Sequence, residues 1–264
     1  MGRMDEKAEK IKKANWEETR FGIWVWFLHL LAAVVLGLAL FPMVFFFYAV
    51  WQSMAAHAAW LKILVFSFSI GFGYFLFGAT LITLCAFFKN LFGFRVKPGL
   101  YSIYSKECLS WMGYNSMILL ANAAFLDVLR ISPFQNFFYR VMGAKVGKGV
   151  NVNTSGLADL ELLEIGDHVT VGGGVALICH ASERGLIRLA PTKLGNNVSI
   201  GIGSVIMPDV EMGDRVTIAP MSFVPKGSRI PSGALWGGNP AKDLRQERRQ
   251  ARASNEPLGN TPPL

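Results

Sequence analysis

The order in which apolar and polar residues follow one another divides this chain near residue 140. Before that point apolar residues come in long blocks. Residues 21 to 51 read FGIWVWFLHLLAAVVLGLALFPMVFFFYAVW and residues 63 to 88 read ILVFSFSIGFGYFLFGATLITLCAFF, neither holding an Asp, Glu, Lys or Arg. Each exceeds the roughly 20 residues that cross a hydrocarbon core. Both are too long for a secretory leader and lack its small-residue cleavage pattern. The pattern predicts a transmembrane helical hairpin over 21–90, with Pro42 kinking the first span, as membrane helices tolerate. Residues 111–131, WMGYNSMILLANAAFLDVLRI, are apolar but broken by Asn115, Asn122 and Asp127. They predict an interfacial helix within a connector over 91–140. The alternative, a third span, would move everything after it across the membrane.

After Val146 the long runs vanish and a period of six takes over. Leu194, Ile200, Ile206, Met212, Ile218, Val224, Ile230 and Trp236 follow one another without slippage, several of them trailed by Gly. A strict six fits neither the two-residue period of an ordinary strand nor the 3.6 of a helix. It predicts a triangular parallel β-helix over 141–241, in which three hexads close a coil and the aliphatic columns are buried only by stacking coils. The rhythm fails once, at VALICHASERGLIRLAPTKL (175–194). From Leu177 to Leu194 is seventeen residues, one short of a whole coil, so a loop is expected to leave the stack at 180–193.

Charge then orients the molecule. Six Lys and Arg precede the first block (Arg3, Lys7, Lys10, Lys12, Lys13, Arg20) and Lys89, Arg95, Lys97 and Lys106 follow the second. The connector QSMAAHAA has none. The positive-inside rule puts both ends of a multi-pass inner-membrane protein, and the β-helix with them, in the cytoplasm. The net charge of +8 is spent around apolar segments, which favours a membrane surface over nucleic acid. The tail 242–264 is basic and then proline-containing, expected to form a short helix followed by disorder. Cys85, Cys108 and Cys179 make no motif, as in a reducing compartment. GAKVGKG (143–149) is one residue short of a phosphate-binding loop and ends in Gly where Ser or Thr is required.

The segments IGDHVTVG, LGNNVSIGIGSVIMPDVEMGDRVTIAP and GALWGGNPAK resemble the hexapeptide-repeat, left-handed β-helix acyltransferases. KPGLYSIYSKECLSWMG, ISPFQNFFYRVMGAKVGKGV and the upstream hairpin make the chain similar to the membrane-bound C-terminal domain of polylysine-synthetase-like peptide synthetases. It departs from them in carrying no adenylation or carrier module and a single β-helix. The resemblance implies a homotrimer, with a thioester donor lying in clefts between neighbouring β-helices.

Acyl transfer to a hydroxyl or amine needs a base, and His180 in the interrupting segment suits that role near neutral pH. Glu183 is expected to orient it, or its partner across the subunit interface. The expected co-substrate is acetyl-CoA or another acyl thioester, with no metal. Its pantetheine arm would pass Ser204, Ala219 and Ser222, Lys226 and Lys242 would meet its phosphates, and the loop at Asn239 would hold its adenine end. The acceptor is expected to be a membrane lipid or lipid-linked molecule. Amide formation from an acyl- or peptidyl-carrier protein and a non-catalytic trimeric scaffold are the competing readings. A γ-class carbonic anhydrase needs three His at its zinc, and the β-helix supplies only His168 and His180.

Overall fold

The computed structural model describes residues 2–253, with side chains from Trp16 to Gln250. The residues fall into two compact units. One runs to Arg95 and includes Tyr101–Leu126; the other comprises Val96–Leu100 and the chain from Asp127 onward.

The first unit is helical. Helix α1 is continuous from Gly2 to Ser53, through Pro42, and α2 spans Ala59–Leu91. Both are long and apolar enough to cross a membrane. The apolar stretch Trp16–Ser53 alone rises about 57 Å at 1.5 Å per residue, well beyond a hydrocarbon core. Their outward faces carry Trp26, Phe45, Phe68 and Phe72 in the open. Ser67, Thr80 and Thr83 turn their hydroxyls back onto carbonyls four residues earlier, each at 2.8 Å, so no hydroxyl among them is left bare in an apolar setting.

Residues 111–131 are not one helix. α3 spans Lys106–Ala121 and a π-helical turn occupies Asn122–Leu126. Tyr114, Met117, Ile118, Phe125 and Leu126 are buried within this unit. Gly78 of α2 makes room for the Phe125 ring, which lies where a Cβ would sit, and the Trp24 indole of α1 donates to the Leu109 carbonyl at 3.0 Å.

The second unit is a three-sided stack of parallel strands. One side pairs Asn151–Val152, Thr170–Val171, Ser199–Ile200, Thr217–Ile218 and Leu235–Gly238 in order. The next pairs Ala176–Leu177, Val205–Ile206 and Phe223–Val224. The third pairs Lys145–Val146, Leu163–Ile165, Thr192–Leu194, Glu211–Met212 and Arg229–Ile230. Successive aliphatic residues of the six-residue series visit the three sides in turn, and all but Trp236 are buried. This is the β-helix that the period implied.

The corners explain the glycines. Gly149, His168, Asn197, Arg215 and Gly233 occupy one corner in successive coils, all with φ between 56 and 73°. The glycines just before that corner serve a different need, close approach: a Cβ on Gly195 would lie 2.6 Å from the Gly213 carbonyl carbon of the next coil. A polar ladder binds the same corner. The amides of Lys148, Asp167, Asn196 and Asp214 donate to the side chains of Asp167, Asn196, Asp214 and Ser232, at 2.7 to 3.0 Å.

The interruption differs from its sequence-based arithmetic. Ser199 pairs with Thr217, eighteen residues on, but with Thr170, twenty-nine residues back. Eleven residues are therefore added to one coil. Leu177 and Leu194 lie on adjacent sides of the prism, so the seventeen residues between them are one six-residue step plus that insertion. The insertion forms an antiparallel hairpin, His180–Glu183 with Leu186–Leu189. Arg184 and Gly185, at φ 51° and 75°, make the two-residue turn whose twist matches the strands.

α4, Pro133–Met142, lies against the first coil, and α5, Leu244–Ala253, follows the last. Proline at the start of α4 and left-handed Gly143 after its end mark its limits.

Candidate active site

The hairpin lifts His180 off the regular stack, and a residue from the preceding coil meets it. Leu157 bridges to Leu177 across the coils, which places Asp159 beside Cys179 and His180. Asp159 has left-handed backbone (φ 55°) at the entry to a short 3₁₀ turn, Leu160–Leu162, and its residue is fully buried. Its Oδ2 lies 2.6 Å from His180 Nδ1 and accepts the Cys179 amide at 2.9 Å. A carboxylate only accepts, so this contact requires the proton on Nδ1 and makes Nε2 the basic nitrogen of the neutral ring. Burying a carboxylate is costly unless hydrogen bonds replace its water. Here a backbone amide and an imidazole do so.

Cys179 sits beneath this pair, buried, its thiol pushed up to about 12 by burial first and by the Asp159 charge second. It stays a thiol at neutral pH and is no nucleophile.

Glu183, expected to orient His180, lies exposed near the hairpin tip and pairs with Lys226. That hydrogen bond, and then the Lys226 charge, hold its carboxyl below the usual range, with smaller contributions from Arg188 and Arg184. Within the chain the orienting carboxylate at the imidazole is Asp159. The Glu183–Lys226 contact straps the hairpin along the corner towards a coil two rungs further on, roughly 10 Å at the spacing of paired strands. His168 is an exposed turn residue of the corner column.

Of the proposed donor residues, Lys226 lies on the hairpin's own corner, paired with Glu183, and the others gather at a different corner, between the first and second sides. Ser204 and Ser222 turn inward and are buried; both hydroxyls donate to the Ala219 carbonyl, at 3.0 and 2.6 Å. Ser222 Oγ also accepts the Gly238 amide at 3.3 Å, which ties in the loop carrying Asn239. Ala219 is half-buried, Asn239 exposed, and Lys242 exposed on the short strand antiparallel to Leu235–Gly238. In one chain these residues and His180 thus occupy two edges of the prism. Among the described residues no group of three or more His, Cys, Asp or Glu is arranged to hold a metal ion.

Asp159 escaped the sequence reading, although a signal existed. In GLADLELL it is a carboxylate among leucines, a position that demands a partner, and it lies twenty-one residues before His180, close to the length of an early coil.

Comparison with known proteins agrees with this fold. The family described as bacterial transferase hexapeptide (six repeats) matches residues 191–226. Protein CapG of Staphylococcus aureus is 34% identical over 119 residues, covering 40% of this chain and 67% of that protein. The putative acetyltransferase YvoF of Bacillus subtilis is 27% identical over 142 residues, 50% of this chain and 81% of YvoF. Delta-poly-L-ornithine synthetase of Acinetobacter baumannii is 28% identical over 117 residues, 44% of this chain but 9% of the synthetase, so the likeness concerns a small part of that protein. The chain is an enzyme that belongs to the hexapeptide-repeat transferase family.

Proposed function

We propose that the protein is a membrane-anchored acyltransferase that moves an acyl group, most simply acetyl, from coenzyme A to a hydroxyl or amine of a lipid-linked acceptor. The observation that carries this reading is the His180–Asp159 pair, an imidazole held in one tautomer by a buried carboxylate. His180 Nε2 takes the proton of the acceptor O–H or N–H while its heteroatom attacks the thioester carbonyl. The tetrahedral intermediate then expels the coenzyme A sulfur, which receives the proton from His180. Asp159 fixes the ring and stabilises the transient imidazolium. Similarity to a putative acetyltransferase supports the choice of donor.

The placement of His180 and the donor residues on two edges supports a homotrimer of left-handed β-helices, in which one subunit's hairpin meets its neighbour's late coils. Ala219, Asn239 and Lys242 then line the donor cleft, while Ser204 and Ser222 shape it from inside. Lys226 positions the hairpin, and Glu183 is the hairpin carboxylate offered to the neighbouring subunit. Two apolar helices anchor the chain in the inner membrane with the β-helix in the cytoplasm, close to lipid-linked acceptors. Likeness to a polyornithine synthetase favours, as a second reading, amide formation from a carrier-bound thioester.

The test pairs binding with transfer. Acetyl-CoA is titrated calorimetrically into detergent-solubilised protein and into His180→Ala, and radiolabelled acetyl-CoA is incubated with membranes holding each. Saturable binding in both, with label entering lipid in the wild type alone, is expected. Absence of binding in both shifts the donor to a carrier protein. Transfer undiminished in His180→Ala removes the assigned base.

A further inference from the structure

Helix α4 is apolar on two sides, burying Phe138, Tyr139 and Met142 while leaving a second set of apolar residues in the open. A surface helix normally directs polar residues outward. Here Gln135 is buried, donating to the Thr154 carbonyl at 2.9 Å and to the Tyr139 hydroxyl at 3.0 Å. Asn136 donates to the Val150 carbonyl at 2.8 Å, and Arg140 to the carbonyls of Val146 and Gly147 at 3.1 and 2.8 Å. Those carbonyls belong to the first coil, which has no coil before it, and the polar side of α4 is occupied in satisfying them. The outward arc is left to Phe134, Phe137 and Val141, spaced three and four apart, with Phe137 55% exposed.

Ile131, just before α4, extends the same character. It is 56% exposed and its φ is 58°, a left-handed conformation that β-branched side chains rarely adopt and where Gly or Asn would cost less. An isoleucine kept in a strained, exposed position points to an apolar neighbour outside the chain. Arg140 on α4 and Lys148 in the first coil that α4 covers are both exposed and add positive charge, which suits anionic headgroups.

We propose that the outward face of α4, with Ile131, lies in the boundary between headgroups and acyl chains of the leaflet that carries the protein's anchor. The inference rests on the membrane-spanning reading of α1 and α2. It extends to α4 the interfacial character that the sequence suggested for 111–131. The partner is lipid, and the effect is to hold the first coil of the β-helix at a fixed depth.

The full chain is reconstituted in vesicles of phosphatidylethanolamine and phosphatidylglycerol, and nitroxide labels are placed one at a time at Phe137→Cys, Phe134→Cys, Phe68→Cys and Glu247→Cys. The native cysteines are buried, so unsubstituted protein provides the blank. Collision rates with oxygen, which concentrates in lipid, and with a water-soluble nickel chelate are read by spin-label saturation. Labels at Phe137 and Phe134 are expected to fall between Phe68 of α2 and Glu247, with an oxygen-to-nickel ratio several-fold above that at Glu247. Phe137 matching Glu247 while Phe68 stays in lipid overturns the proposal and leaves the spans intact. Low collision with both reagents and dipolar broadening between labels means a second copy covers the face, which also overturns it. Nickel access at Phe68 as well removes the spanning reading, and the proposal falls with it.

Discussion

The coils after Leu194 and the stretch from Leu157 to Leu189 share one prism and obey opposite rules. In the late coils the features that look chemical are absorbed by the coil. Ser204 and Ser222 bond the Ala219 carbonyl inside a corner, and Asp214 receives the amide of Asn196. In the earlier stretch, features that look like defects bring reactive groups together. An eleven-residue insertion carries His180 off the stack and a left-handed aspartate turns a carboxylate towards it. The two β-helix histidines make the same point: His168 stands in a turn column that also accepts Asn, Arg and Gly, whereas His180 faces a buried anion. Regularity supplies the scaffold, and the departures from it bring a histidine and a buried carboxylate together.

The comparison is broken most severely at the carboxylate. Asp159→Asn still accepts the Cys179 amide but can present an amide N–H to His180, which reverses the tautomer and protonates Nε2. The expected loss is about 10²- to 10⁴-fold in kcat, with acetyl-CoA affinity kept, read from transfer rates beside calorimetry. In the regular part the damage should instead fall on stability. Ile218→Ala, in the middle of the stack, is expected to cost about 2–5 kcal/mol. Gly195→Ala, whose new methyl must displace backbone of the next coil, should cost about 1–3 kcal/mol. Denaturant midpoints of the two variants check both, and site chemistry should survive wherever the fold does.

Two smaller effects sharpen the contrast within the hairpin. Glu183→Gln is expected to lower kcat by no more than about threefold, the range of an exposed pair; a hundredfold loss would move Glu183 into the chemistry of the neighbouring subunit's cleft. Its folded carboxyl titrates below the ordinary glutamate value. The strap to Lys226 is therefore fully present above that value and is lost as pH falls through the depressed one, seen as faster amide exchange in 182–187. Cys179, a thiol up to about pH 12, should resist iodoacetamide at pH 8 in native protein, and mass spectrometry of the quenched reaction reads this directly.

Legibility from sequence followed the same division. The late coils could be read because each hexad repeats one local rule, an aliphatic residue inward and a small one where the next coil passes. The insertion was visible as a break, but seventeen residues lie so near eighteen that it passed for an imperfect coil. The strand pairing, such as that of Thr170 with Ser199, shows instead a short step enlarged by eleven. His180 was legible as a polar residue where the rhythm fails. Asp159 was not, because its meaning depends on a contact twenty-one residues away that coil closure creates. Within one chain the extended strand His180–Glu183 sets Glu183 apart from His180, and only the part of its expected role that lies across the subunit interface stays in the proposal.

The corner ladder has a direction. Each of its amides is satisfied by a side chain one coil later: Asp167 by Asn196, Asn196 by Asp214, Asp214 by Ser232. A chain leaving the ribosome amino end first therefore always shows one open corner, closed only when the next turn has emerged. Growth proceeds as in a zipper whose teeth are cut in the order they close, and the nascent prism remains adhesive at its newest end until Ser232 is made.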